Sequence, residues 1–142
     1  LEKDLLVLAD RYVYSNIAFQ CAKTEDYRRK IELEEWILDF EYAYNRIPKP
    51  ALSIYLHVPV SFVEKQLAKS RAGAERAYLK GKRDIHESSA ALQKSVEREY
   101  ARLADKYDDF KAVRCAGENG ETVLSPEEIH SKIVRMLKSF IL

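Results

Sequence analysis

Apolar positions recur along the chain in two rhythms, continuous short runs and helical stripes. Leu5-Leu6-Val7-Leu8-Ala9 is a short unbroken apolar run, which predicts a strand covered on both faces, as in a parallel sheet. A helix is predicted from about Ser15 to Ala22, and the polar stretch Lys23 to Asp26 breaks it. Tyr27 to Tyr44 reads as a long helix with Leu33, Trp36, Ile37, Phe40 and Tyr44 on one face. Ile47-Pro48-Lys49-Pro50 ends it, because each proline biases its predecessor away from helical geometry. Leu52 to Val58 is a second strand. Ser61-Phe62-Val63-Glu64 has the form of a capping box and predicts a helix from Ser61 that fades near Ser70. A further helix from about Ile85 to Tyr107 carries Leu92, Val96, Tyr100, Leu103 and Tyr107 on one face. Phe110 to Cys115 is a third strand, and Gly117 to Gly120 a turn. Ser125-Pro126-Glu127-Glu128 caps the last helix, whose buried stripe is Ile129, Ile133, Met136 and Phe140. Strands separated by helices predict an α/β fold with a parallel sheet.

Composition narrows the classes. The 142 residues suit a single domain, and a net charge of +1 gives no global field toward nucleic acid or a membrane surface. No apolar run approaches the roughly 20 residues of a membrane span. The first residues, with Glu2 and Asp4, are not a signal peptide. Cys21 and Cys115 show no C-x-x-C spacing, so neither a disulfide framework nor a cysteine zinc site is expected, and a reducing, cytoplasmic setting fits. His57, His86 and His130 lie on different predicted elements without ligand spacing. His57 ends a strand, where it faces either a cleft or, the favoured reading, solvent.

Chemistry concentrates after the first apolar run. Ligands of open α/β sheets bind beyond the carboxyl ends of the strands, and Asp10 stands at such an end. An apolar run closed by Asp is the Walker-B pattern, whose carboxylate helps hold Mg²⁺. Arg11 adds a fork-shaped guanidinium suited to phosphate. Each has a plain alternative: Asp10 as a turn or cap residue, Arg11 in a salt bridge to Asp10 or a neighbouring helix.

The phrase as a whole is more specific. Asp10-Arg11-Tyr12, then Ser15-Asn16, then Ala18-Phe19-Gln20 resembles the signature of the thymidylate kinase family. Pro48-Lys49-Pro50 before the second strand resembles that family's "PKPDL", with Ala51 in place of the Asp. Arg71 to Glu87 resembles its LID more loosely. The family's P-loop has no counterpart: the only Gly-Lys pair, Gly81-Lys82, is followed by Arg83 rather than Ser or Thr. The sequence is therefore read as the C-terminal part of a longer kinase, with a remnant as the alternative, and the 142 residues alone are expected to lack kinase activity.

The resemblance implies a P-loop nucleoside monophosphate kinase fold and transfer of the γ-phosphoryl of ATP to dTMP, with Mg²⁺. It implies that Arg11 grips the acceptor phosphate, and that Asp10 orients the acceptor or Mg²⁺-bound water. It implies a thymine-edge contact for Asn16 or Gln20, whose alternative is ordinary helix-surface amides. It places Phe19 against the sugar, with a core aromatic as the alternative, and puts Tyr12 and Ser15 in the site lining. Ser15 has a second reading as a helix cap. In the LID, residues 71–87, the cations Arg71, Arg76, Lys80 and Arg83 would approach the ATP phosphates. A homodimer is implied as well, with Trp36 in the core or at a subunit contact. A kinase for another nucleoside or nucleotide, or an inactive fragment serving as a binding or dimerisation module, are the competing readings.

Overall fold

The computed structural model describes residues 6–63, 90–117, 119, 120 and 122–141. The predicted LID with Arg71, Arg76, Lys80 and Arg83 lies outside the described residues, as does the predicted helix between Glu64 and Ser70.

Helix α1 spans Val13–Cys21 and α2 spans Tyr27–Leu38. The α2 N-cap is Asp26, whose carboxylate accepts from the backbone N–H groups of Arg28 and Arg29, satisfying donors that a helix start leaves unpaired. The helix widens into a π-helical segment, Asp39–Tyr44. Strand β1 is Ser53–His57, α3 is Ala90–Lys106, β2 is Phe110–Arg114 and α4 is Pro126–Ile141. β1 and β2 pair in parallel, from Ser53 opposite Phe110 to His57 opposite Arg114. Parallel neighbours need a long crossover, and α3 lies on it. The backbone N–H of Cys115 donates to the carbonyl of His57 at 2.9 Å, extending the ladder at its carboxyl end.

The core forms where α1 meets α2, α3 and the sheet. Ile17, Ala18, Cys21 and Leu103 are fully buried, with Val13, Ile37, Val96 and Phe110 around them. Ala18 and Ala22 are small enough to let neighbouring elements approach. Tyr14 stacks on Phe110 at 4.7 Å between ring centroids, and its hydroxyl donates to Asp109 Oδ1 at 2.7 Å. Cys21 and Cys115 are free and buried; burial pushes the Cys21 thiol up to about 11. The predicted capping box on α4 forms as a reciprocal pair: the Ser125 N–H donates to Glu128 Oε2 at 2.7 Å, and the Glu128 N–H donates to Ser125 Oγ at 3.2 Å.

Several expectations are corrected. Leu6 to Ala9 forms no strand, and Leu6, Val7 and Leu8 are 86%, 63% and 88% exposed. A strand exists through its ladder, and among the described residues β1 and β2 pair only with each other. The helical turn after β1 begins at Val60 rather than Ser61; the N–H groups of Phe62 and Val63 both donate to the Pro59 carbonyl.

The aromatic stripe of the second helix faces solvent instead of the core. Trp36, Phe40 and Tyr44 are exposed and stack on one another, at 5.2 and 5.5 Å. The inward face is set by Lys30, Glu34 and Ile37. Buried Glu34 accepts from Lys106 Nζ at 2.8 Å and from the Tyr107 hydroxyl, and faces Arg102 Nη2 at 2.7 Å. Glu99 pairs with Lys30 at 2.6 Å and Arg102 Nε at 2.8 Å. Burial alone would raise both carboxyls. The hydrogen bonds from Lys106, Tyr107 and Arg102 to Glu34, and from Lys30 and Arg102 to Glu99, outweigh it and hold both below the usual carboxylate range. This charge network commits one face of α2 to α3, so the aromatics are left outside.

Candidate functional site

A cleft of about 260 Å³ opens beyond the carboxyl end of β1, where open α/β sheets bind ligands. Arg11 enters it from just before α1, and Phe19 from the helix's second turn. Tyr55, Leu56, Val58, Val60 and Val63 line it from β1 and the chain that follows, and Gln93, Val96, Glu97 and Tyr100 from α3. The walls are aromatic and aliphatic, with few polar groups, a common character of small-molecule sites.

Arg11 is held in an unusual backbone state, with φ at 67°. A bulky residue in the left-handed region stores strain on the order of 1–3 kcal/mol and persists only when its surroundings hold it there. Two contacts do so. The Tyr12 hydroxyl donates to the Pro48 carbonyl at 2.9 Å, fixing the residue after Arg11. The Arg11 guanidinium lies 5.3 Å from the centroid of the Phe19 ring, a cation–π distance.

Tyr100 and Glu97, one turn apart on α3, are fixed from both sides. The Tyr100 hydroxyl donates to Ser15 Oγ at 2.9 Å, and its ring stacks on Tyr55 at 4.5 Å. Glu97 Oε1 lies 2.6 Å from His57 Nε2. Burial, with the Glu97 charge nearby, raises the pKa of the Tyr55 hydroxyl, so it stays protonated.

The structure thus divides the predicted site residues. Arg11 and Phe19 line the cleft. Tyr12 anchors the loop. Ser15 is not the cap of α1, since that position belongs to Tyr12; its hydroxyl instead positions Tyr100. Asp10 is exposed beside Arg11, and among the described residues no carboxylate forms an ion pair with Arg11. Asn16 and Gln20 are not among the residues lining the cleft; Asn16 is exposed, and Gln20 Oε1 accepts from Lys23 Nζ at 3.1 Å. His57 is half-exposed and paired rather than simply solvated. Sequence reasoning missed Tyr55, Gln93 and Glu97. Tyr100 stood on the predicted apolar face of its helix, where a hydroxyl without a partner is the signal to look for one.

The resemblance implies Mg²⁺. Among the described residues no group of three or more His, Cys, Asp or Glu side chains could hold a metal ion. Mg²⁺ keeps several waters and is bound through one or two carboxylates plus substrate phosphates. A single exposed Asp10 suits that donor set.

Comparison with known proteins places the chain beside one group. It is 28% identical over 138 residues to a protein of Pyrococcus abyssi named probable thymidylate kinase, an alignment covering 97% of this chain and 54% of that protein. Proteins of the same name from Pyrococcus horikoshii and Thermococcus onnurineus are 27% and 28% identical, again over 97% of this chain and 54% of theirs. The chain therefore spans about half the length of the curated relatives it matches. No family model matches it, and no solved structure matches at a significant level. No described helix is long and apolar enough to cross a membrane. The resemblance first carried by Asp10-Arg11-Tyr12 holds along nearly the whole chain, which is related to the proteins named probable thymidylate kinase.

Proposed function

We propose that the chain supplies the acceptor side of a thymidylate kinase, which moves the γ-phosphoryl group of ATP onto the 5′-phosphate of dTMP. The observation that carries this reading is the exposed guanidinium of Arg11 in an aromatic cleft beyond the end of β1. The surrounding phrase from Asp10 to Gln20 and the relatives' names support it.

In this mechanism the protein positions and neutralises charge, since phosphoryl transfer asks little covalent chemistry of it. Arg11 grips the acceptor phosphate bidentately and holds it in line with the incoming group. Phe19 and Tyr100 offer ring faces to the sugar and base. Tyr100 is kept in place by Ser15, and Glu97 by His57. Asp10 orients the acceptor or would help hold Mg²⁺ through water, and the ion would neutralise charge on the transferring phosphates. The base-edge roles of Asn16 and Gln20, four residues apart on α1, require both to turn toward the cleft from outside its lining, and the Gln20 Oε1 to leave Lys23 Nζ. The fold proposed is that of P-loop nucleoside monophosphate kinases, and the cations Arg71, Arg76, Lys80 and Arg83 close over ATP.

The test is ADP formation by the full encoded protein, with dTMP, ATP and Mg²⁺. Arg11→Ala removes a charged phosphate clamp and should cost about 3–5 kcal/mol, roughly two to three orders of magnitude in kcat/KM. Near-wild-type turnover in the variant would remove Arg11 from the site.

A further inference from the structure

Arg11 and Phe19 are both assigned to the ligand, one to its phosphate and one to its sugar or base, yet they occupy each other. The guanidinium lies 5.3 Å from the centroid of the Phe19 ring. Glu97, the acid that lines the cleft among the described residues, lies 2.6 Å from His57 Nε2. No carboxylate among the described residues pairs with Arg11, so the ring face is its electrostatic partner. A ring face cannot carry a guanidinium and pack on a ligand at once. A phosphate is a far stronger partner for a guanidinium than a ring quadrupole.

We infer that Phe19 is the resting place of Arg11: a bound phosphate draws the guanidinium off the ring and thereby uncovers the surface that packs on the sugar or base. Phe19 is thus a positioning residue for Arg11 as well as a ligand contact. The two halves of the acceptor are bound in a coupled order, phosphate first. A nucleoside without phosphate meets a covered ring and binds weakly, beyond the loss of its own phosphate contacts. A ligand can shift such an equilibrium only by its different affinity for the two states, and here that difference is the exchange of a ring for a phosphate.

The inference rests on the proposed role of Arg11 and is tested so that the two can fail separately. The probes are inorganic phosphate and dTMP, titrated calorimetrically into the full encoded protein. The Arg11-dependent part of phosphate binding is the part lost in Arg11→Ala. Phe19→Leu keeps an apolar side chain of similar bulk but no π face. It should strengthen the Arg11-dependent phosphate binding about two- to fivefold, the worth of an exposed cation–π contact, while weakening dTMP. Phe19→Tyr keeps the ring face and should restore both to wild-type values. A purely structural role for Phe19 would weaken both ligands together in Phe19→Leu, and that result, or unchanged phosphate affinity, overturns the inference while leaving Arg11 in place. If wild type shows no Arg11-dependent phosphate binding, the role of Arg11 fails and the inference with it.

Discussion

Glu34 offers a sharp test of how the site is held, because it is a carboxylate with 0% exposure tying α2 to α3. Glu34→Gln keeps the shape and removes the charge. Lys106 and Arg102 then lose their shared counter-ion, and Arg102 is left with Glu99 alone. Removing one partner of a buried pair costs roughly 3–5 kcal/mol. Here the side chains of Arg102 and Lys106 are 22% and 42% exposed, so both cations recover some water, and the Gln carbonyl still accepts one hydrogen bond. The expected loss is therefore about 2–3 kcal/mol at neutral pH, or roughly 4–12 °C in Tm at this chain length. Thermal unfolding followed by circular dichroism measures it. The pH dependence fixes the cause. Glu34 holds its proton more weakly folded than unfolded. Its stabilisation is thus present above the ordinary carboxylate pKa of roughly 4.3 and is lost as pH falls through the lower folded value. The gap between wild type and variant should stay constant from pH 6 to 8 and close in acid. A gap below about 0.5 kcal/mol at pH 7, or one that persists in strong acid, would refute the electrostatic account.

Other outcomes follow from the same contacts. Tyr100→Phe leaves Ser15 Oγ without its donor and should cost about 0.5–1.5 kcal/mol of stability; a raised KM for dTMP in the steady-state assay would show that the ring shifts in the cleft. Trp36→Ser should change stability by no more than about 0.5 kcal/mol in urea unfolding, since the indole is 60% exposed; a larger loss would put Trp36 back in a packed interface. Burial raises the Tyr42 and Tyr107 hydroxyls to about 12. Unfolded tyrosines ionise first, near pH 10, so this stabilisation is present below pH 10 and is lost between pH 10 and 12. A spectrophotometric titration should show tyrosines ionising late, and unfolding should bring them forward.

Much of the fold was legible because local chemistry and burial agree there. β1, β2 and the face of α3 were readable as apolar rhythms, and the Ser125 and Glu128 cap forms as its spacing predicts, whereas Ile129, Ile133 and Met136 of the expected buried stripe on α4 are only half-buried. The failures have one physical source: an apolar residue records a tendency to be covered, not the identity of what covers it. Leu6 to Ala9 reads as a strand, but strand formation depends on a neighbouring ladder that the apolar run does not encode. Leu33, Trp36, Ile37, Phe40 and Tyr44 read as one apolar face, but only Leu33 and Ile37 pack on the core, and α2 leaves the three aromatics outside. A sequence shows Glu34 and Lys106 as ordinary surface charges, and nothing in their spacing brings residues 72 positions apart together.

The site was legible in the same uneven way. The compact phrase from Asp10 to Gln20 lies on one loop and one helix, so its members are neighbours by necessity. Tyr55, Glu97 and Tyr100 come from β1 and α3, and only the crossover between the parallel strands brings them to Arg11. What folding adds is a change of role. Ser15, readable as a cap or a lining residue, becomes the acceptor that orients Tyr100. His57, readable as a solvated strand end, engages Glu97, while the Arg11 guanidinium lies against the Phe19 ring. A lone basic residue in a cleft indicates only that an anion would be welcome. Seated on an aromatic ring, with no carboxylate among the described residues paired to it, the same residue is poised to exchange one partner for another, and that exchange is what a phosphate-bearing ligand can drive.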